Sequence, residues 1–215
     1  MKIVLLGATG KVGAPVRDEL LRRGHEVTAV VRDAGRLPAE TDSLHHHPGD
    51  VFEPDVLAGV LPGADVVVCS VALRDPAQGG RTPVELMSGV ARAAADAGVR
   101  LVTLGGAGSL KVGGGVDLVD TPEFPEVAKP ESLGFRDALH WLQDSAPAGL
   151  TWTMVSPPVS IEPDQPRTGS YRVLIDDLVV GEDGRSRISA ADLAVAVVDE
   201  VEQPRHPGAR FAVGY

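Results

Sequence analysis

Val4-Leu-Leu-Gly-Ala-Thr-Gly-Lys-Val-Gly13 sets three glycines, Gly7, Gly10 and Gly13, at intervals of three between a short apolar run and an amphipathic stretch. The run at 2–6 has the length and branched composition of a buried strand. Beyond the glycines, Val12, Val16, Leu20 and Leu21 recur at helical spacing, Arg17, Arg22 and Arg23 fall on the outward side, and Gly24 stops the pattern. Strand, glycine turn and helix in that order give each glycine a separate task. Gly7 permits the tight turn, Gly10 lets the backbone approach a pyrophosphate with no Cβ in the way, and Gly13 allows the helix to pack closely on the strand. The first N–H groups of the helix then face the phosphates, so the stretch reads as a dinucleotide-binding loop.

Working outward, apolar runs at 26–31, 43–47, 65–70, 99–104 and 151–156, with a last short one near 211–213, alternate with helical patterns at 54–61, 83–97, 131–145 and 190–202. Strands alternating with helices predict an α/β fold, a Rossmann-like doubly wound parallel sheet. The whole of 1–215 is expected to form one domain around one core. Two segments break the alternation. Residues 105–130 begin with the glycine-rich Gly105-Gly-Ala-Gly-Ser109 and form a long loop without helical pattern. Residues 157–189 carry four prolines and then Tyr171-Arg-Val-Leu-Ile-Asp-Asp-Leu-Val-Val180, which predicts a small C-terminal hairpin turning at Asp176-Asp177. Both are placed on the substrate side, at the carboxyl ends of the strands.

Composition narrows the partners. Thirty acidic against 20 basic residues leave a net charge of −10, which lacks the basic footprint of a nucleic-acid binder. No run approaches the ~20 apolar residues of a membrane span, and the first apolar run reads as a strand, not a leader, so a cytoplasmic protein with a small-molecule substrate is expected. Oligomeric state is left open. The single cysteine, Cys69, lies in the run Asp65-Val-Val-Val-Cys-Ser70 and reads as a buried strand residue. His45, His46 and His47 are consecutive, so their side chains alternate between faces and do not address one ion; no metal is expected.

At the end of the second strand stands Arg32, where a carboxylate would hold the ribose hydroxyls of NAD. A guanidinium there favours a 2′-phosphate, Arg36 is placed to add a second one, and Asp33 opposes them only if its side chain turns inward. The expected cofactor is therefore NADP(H), ahead of NAD(H); the alternative for both arginines is ordinary surface charge. Asp50, in Gly49-Asp50-Val51, is placed to accept from an adenine amino group or else to cap a turn.

These residues resemble a family. Gly7-Ala-Thr-Gly-Lys-Val-Gly13, Val30-Val-Arg-Asp33 with Arg36-Leu-Pro38, Gly49-Asp-Val51, and then Ser156-Pro-Pro158, Thr168-Gly-Ser-Tyr171 and Ser186-Arg-Ile-Ser-Ala-Ala-Asp192 look like an atypical short-chain dehydrogenase/reductase. The NAD(P)H-binding proteins similar to biliverdin-IXβ reductase/flavin reductase and the NmrA-like proteins share this pattern. The resemblance implies that Thr9 and Lys11 line the phosphate loop, that Arg32 and Arg36 hold the 2′-phosphate, and that Asp50 and Val51 frame the adenine.

The resemblance stops at the Tyr-x-x-x-Lys pair of short-chain dehydrogenases, in which the lysine lowers the tyrosine pKa for proton exchange. Neither Tyr171 nor Tyr215 has a lysine at that spacing, and Phe135 and Leu139 fall near the two positions. Ser109, Lys111, Lys129 and His140 are the candidate proton-transfer residues, with ordinary structural readings beside them. An intact cofactor loop without the tyrosine predicts an NAD(P)H-dependent oxidoreductase whose flavin-, quinone- or enone-like acceptor takes its proton from water. The alternatives are a non-catalytic NADP(H) sensor, or an isomerase, epimerase or cyclase on the same fold.

Overall fold

The computed structural model describes residues 1–73 and 80–215. The chain opens with β1 (Lys2–Leu6), α1 (Gly13–Arg22), β2 (Glu26–Val31), β3 (Leu44–Pro48), α2 (Pro54–Val60), β4 (Val66–Cys69), α3 (Pro83–Ala97) and β5 (Arg100–Leu104). A small ribbon follows, β6 (Lys111–Val112) and β7 (Val116–Asp117), then α4 (Lys129–Ser145), β8 (Trp152–Ser156), β9 (Ser160–Glu162), β10 (Arg172–Leu174), β11 (Arg187–Ser189), α5 (Ala190–Glu202) and β12 (Ala209–Gly214).

Among the described residues an eight-stranded sheet runs β10-β12-β8-β5-β4-β1-β2-β3, parallel throughout except for β10. The chain winds outward from β1 to β3, returns to β4 on the other side of β1, and winds away again. The gap between the ends of β1 and β4 is thus the switch point where ligands of such sheets bind. Successive side chains of each strand serve opposite faces. Ile3 and Leu5 join Val16, Leu20, Leu193 and Val197 under α1 and α5, while Val4 and Leu6 join Leu57, Leu86, Val90 and Leu139 under α2, α3 and α4. Burial on both faces is why these strands read as continuous apolar runs rather than alternating ones. Each such side chain, fully buried, contributes roughly 1.5–3 kcal/mol.

Local signals set the helix ends. At the start of α3 the Thr82 side chain accepts from Glu85 N–H at 3.2 Å and Glu85 Oε2 accepts from Thr82 N–H at 2.8 Å, and the helix stops at Gly98 in the left-handed region (φ 67°). Ser189 caps α5 by accepting from Asp192 N–H at 2.9 Å. Helix α4 begins two residues before the predicted 131, because Pro130 in a first turn forfeits only an N–H that no helical carbonyl would have met.

Three expectations are corrected. Tyr171–Val180 does not fold back on itself at Asp176-Asp177: β10 pairs antiparallel with β12, while Lys111 N–H donates to Asp176 O and Leu178 N–H to Lys111 O, at 2.8 and 2.9 Å. A period-two apolar pattern marks a strand but does not choose its neighbour, and β12 offered an open sheet edge. Residues 105–130 are not irregular throughout, since Gly113-Gly114-Gly115 closes the short β6–β7 hairpin with φ of 84° at the last two glycines. Arg17 does not point outward: it is 7% exposed, and its guanidinium donates to Ala8 O at 3.3 Å and pairs with Asp18. The polar side of α1 is in fact a seam. Buried Glu19 takes Arg22, Arg23 and Arg167 together, and Arg23 reaches on to Asp199 and Glu202 of α5.

Candidate functional site

A cavity of about 730 Å³ opens at the carboxyl ends of β1, β2, β4, β5 and β8. Its middle is the glycine loop. Gly7 has φ 86°, and a Cβ there would stand 3.0 Å from the backbone of Ser70 at the end of β4. The turn thus has both the conformation and the closeness that only glycine accepts. At Gly13 a Cβ would lie 2.0 Å from Gly7 O and 2.6 Å from Ser70 Oγ, so the helix rests directly on the turn. A Cβ on Gly10 would meet only Gly7 O, at 3.3 Å, and otherwise project toward open space. Helix α1 has no side-chain cap and no acidic residue in its first turn, and among the described residues the N–H groups of Lys11 and Val12 have no backbone acceptor. Unsatisfied N–H groups at the positive end of a ten-residue helix form a receptor for an anion.

At one end of the cavity Arg32 and Arg36 are exposed along its wall, and among the described residues neither forms an ion pair. Asp33 does not oppose them, because its carboxylate turns away to accept from Gly35 N–H at 3.0 Å. Asp50, Val51 and Phe52 follow β3 and line the same end. Asp50 Oδ1 accepts from Phe52 N–H at 3.1 Å, and Oδ2 is paired with Arg81 at 2.8 Å. Burial works against that charge, but the Phe52 N–H and the Arg81 guanidinium outweigh it, Arg32 adds to them, and the Asp50 pKa lies below the ordinary carboxylate value.

The other end is built by Gly105-Gly106-Ala107-Gly108 after β5, by Leu118, Phe124 and Pro125 of the long connection, by Phe135 of α4, and by Pro157-Pro158-Val159 with Ile161 after β8. Glycines bring β5 close to α4 here: a Cβ on Gly108 would stand 2.7 Å from Ser132 Cβ, and one on Gly106 3.5 Å from Phe135 Cβ. The walls are apolar, and Glu131 and Ser132 supply the polar groups.

Of the residues singled out from the sequence, Gly7, Thr9, Gly10, Lys11, Arg32, Arg36, Asp50 and Val51 line this one cavity, and Gly13 backs its loop. The four proton-transfer candidates do not, and Lys111 is paired with Asp117 at 2.6 Å. Ser109 is 8% exposed and turned toward the far sheet edge, where Arg210 donates to its Oγ at 3.1 Å and to its carbonyl at 3.3 Å. Lys129 is paired with Glu126 at 2.7 Å, and His140 sits on the exposed side of α4. Tyr171 and Tyr215 lie against the α5 side, donating at 2.6 Å to Asp199 and Asp192. Burial and the adjacent carboxylates raise both phenol pKa values, the reverse of what a proton-exchanging tyrosine needs.

Reading the sequence missed Ser70, Phe52, Arg81 and Ser132. Ser70 carried a usable signal, since it ends the strand beside the switch point; its Oγ donates to Leu6 O at 2.9 Å. Nothing local announces that Arg81, 31 positions away, returns to Asp50. Among the described residues, no group of three or more His, Cys, Asp or Glu side chains is arranged to hold a metal, and no helix is long and apolar enough to cross a membrane.

The glycine cradle, the open helix end and the arginines beside it fit a dinucleotide, and comparison with known proteins agrees. The profile described as NAD(P)H-binding matches residues 7–204. The chain belongs to the NAD(P)H-binding family. It is 38% identical over 221 residues to the uncharacterized protein YwnB of Bacillus subtilis, covering 99% of this chain and 98% of that one. Among solved structures, a Bacteroides thetaiotaomicron protein to which an epimerase function is ascribed superposes with a TM-score of 0.89 at 36% identity, over 100% of this chain and 96% of that one. A Streptococcus pneumoniae protein to which NADH-flavin reductase activity is ascribed superposes with a TM-score of 0.84 at 32% identity, over 100% and 99%. The expected NAD(P)H-binding family and the Rossmann-like α/β fold are both found.

Proposed function

We propose that this protein is an NADPH-dependent reductase of a conjugated, largely planar acceptor of flavin, quinone or enone type. One observation carries the reading: the apolar end of the cavity places Phe135 against Gly106, near the position of a short-chain dehydrogenase tyrosine, and no tyrosine or lysine lines that end among the described residues. When bound, the nicotinamide supplies a hydride. The protein's own part is then to bind and orient. Gly7, Gly10 and the first turn of α1 seat the pyrophosphate, Arg32 and Arg36 meet the 2′-phosphate, and Phe135, Phe124 and Pro158 flank a flat acceptor and exclude water from its faces. Without a positioned acid, the acceptors that suit the site are those that spread the incoming charge over a conjugated system and take a proton from solvent. The ascribed activity of the Streptococcus relative supports this acceptor class.

Titration with NADPH and NADH, followed by stopped-flow absorbance of the reduced nicotinamide with a flavin and with a quinone, tests the proposal. Tight NADPH binding with acceptor-dependent oxidation is the expected result. Tight binding without turnover on any acceptor would replace it with the sensor reading, or with the isomerase or epimerase reading that the Bacteroides relative favours. Arg32→Glu should weaken NADPH by at least about tenfold, the equivalent of one charge-assisted contact, and leave NADH within about twofold. An unchanged preference would remove Arg32 from the 2′-phosphate site.

A further inference from the structure

At the adenosine end of the proposed cofactor site, three side chains from two distant parts of the chain form a group that the glycine-loop pattern does not contain. Phe52 follows β3; Arg81 directly precedes the Thr82 cap of α3. The Arg81 guanidinium carbon stands 4.3 Å from the centre of the Phe52 ring, within stacking range, and its Nη1 is fixed by Asp50 Oδ2 at 2.8 Å. Asp50 is itself fixed by the Phe52 N–H at 3.1 Å, so ring, carboxylate and guanidinium hold one another in place. All three line the cavity. With Phe52 on one side of the cation and Nη1 held by Asp50, the side of Arg81 turned away from the ring is what it has left, among the described residues, to offer the cavity.

We propose that Arg81 is a stacking plate for the adenine ring, with Phe52 behind it and Asp50 as the positioning residue that sets its angle. The inference rests on the reading of this end as the adenosine site. It changes the part expected of Asp50. Each of its oxygens already accepts one hydrogen bond within the protein, so its first task is to orient Arg81 rather than to read the adenine amino group. A guanidinium is suited to this because it is flat, always charged and weakly hydrated, so it stacks on an aromatic ring on either face, whereas an ammonium does not. The adenine is common to NADPH and NADH. A plate beneath it therefore serves both cofactors equally, unlike Arg32, which is assigned to the phosphate that only NADPH carries.

That difference supplies the test. NADPH and NADH are titrated separately by calorimetry or nicotinamide fluorescence into the wild type, Arg81→Ala, Arg81→Lys and Arg32→Glu, with far-ultraviolet circular dichroism to confirm folding. Arg81 is 38% exposed at its side chain, so its removal leaves the core intact. Arg81→Ala should weaken both cofactors by the same factor, about five- to tenfold, and Arg81→Lys should recover little of the loss. Loss confined to NADPH would overturn the proposal by making Arg81 a phosphate ligand, and no loss for either would overturn it outright. Full recovery by lysine would show that charge, not a flat plate, is what the site uses, and would also overturn it. If Arg32→Glu fails to discriminate while Arg81→Ala weakens both cofactors, the phosphate assignment falls and the plate stands.

Discussion

Gly13→Ala tests the link between glycine spacing, helix placement and cofactor binding most directly. The added Cβ would lie 2.0 Å from Gly7 O, 2.8 Å from Gly7 C and 2.6 Å from Ser70 Oγ, where ordinary contact begins at 3.4 Å. Turn and helix must part by roughly 1.4 Å, far more than a side-chain rotation absorbs, because the atoms met are mostly backbone. Gly7 has little room to retreat, since the Ser70 backbone lies 3.0 Å from where a Cβ on Gly7 would stand. The helix moves instead, at a cost of about 2–3 kcal/mol, the upper part of the range for overpacked sites. For a chain of this length that lowers Tm by about 4–12 °C. The displaced first turn also draws its N–H groups away from the pyrophosphate, weakening NADPH by at least about tenfold. Thermal melts with and without NADPH, together with calorimetric titration, measure both effects. Gly89→Ala in α3 is the control: no atom lies within 4 Å of its Cβ, and the substitution should stabilise by about 0.5–1 kcal/mol. A Gly13→Ala protein with wild-type Tm and affinity would refute the reasoning.

Glu19→Gln should cost on the order of 3 kcal/mol at neutral pH, because it removes the carboxylate shared by Arg22, Arg23 and Arg167. The Arg22 guanidinium first, and then Arg167 and Arg23, overcome the effect of burial and hold the Glu19 pKa well below the ordinary glutamate value. Its stabilising contribution is therefore complete above about pH 5 and is lost as pH falls through the depressed folded-state value, so urea melts across acid pH should show a shallower pH dependence for the variant. Burial in β4 pushes the Cys69 thiol up to about 11, so a disulfide reagent at about pH 8 should leave the native protein unmodified and titrate one thiol once guanidinium is added; rapid labelling of the native state would contradict the buried placement.

Much of this fold was legible before any tertiary contact was known. The strand at 26–31 and the helices at 83–97 and 190–202 have the predicted bounds, and each is delimited by chemistry within a few residues: Gly24 before the strand, the Thr82–Glu85 box and Gly98 around α3, Ser189 before α5. The glycine turn was legible for the same reason, because a tight turn, a close approach and an open helix start lie within one stretch of chain. The opposite end of the cavity was not. Ser109 follows a glycine-rich strand end, as a catalytic serine would, yet β12 returns Arg210 to bind it, and nothing near Ser109 encodes that contact.

By itself, then, the sequence determined the main sheet strands and the helices, most of their buried faces, and the glycine turn that leaves a helix start open, because backbone periodicity, glycine conformations and caps are local properties. Tertiary structure alone decided the neighbour of β10, the burial of Arg17 and Glu19 in the α1–α5 seam, and the return of Arg81 to Asp50. Each of those depends on which distant segment fills a given space, a choice made by the packing of the whole sheet and its two helical layers and carried by no single stretch of residues.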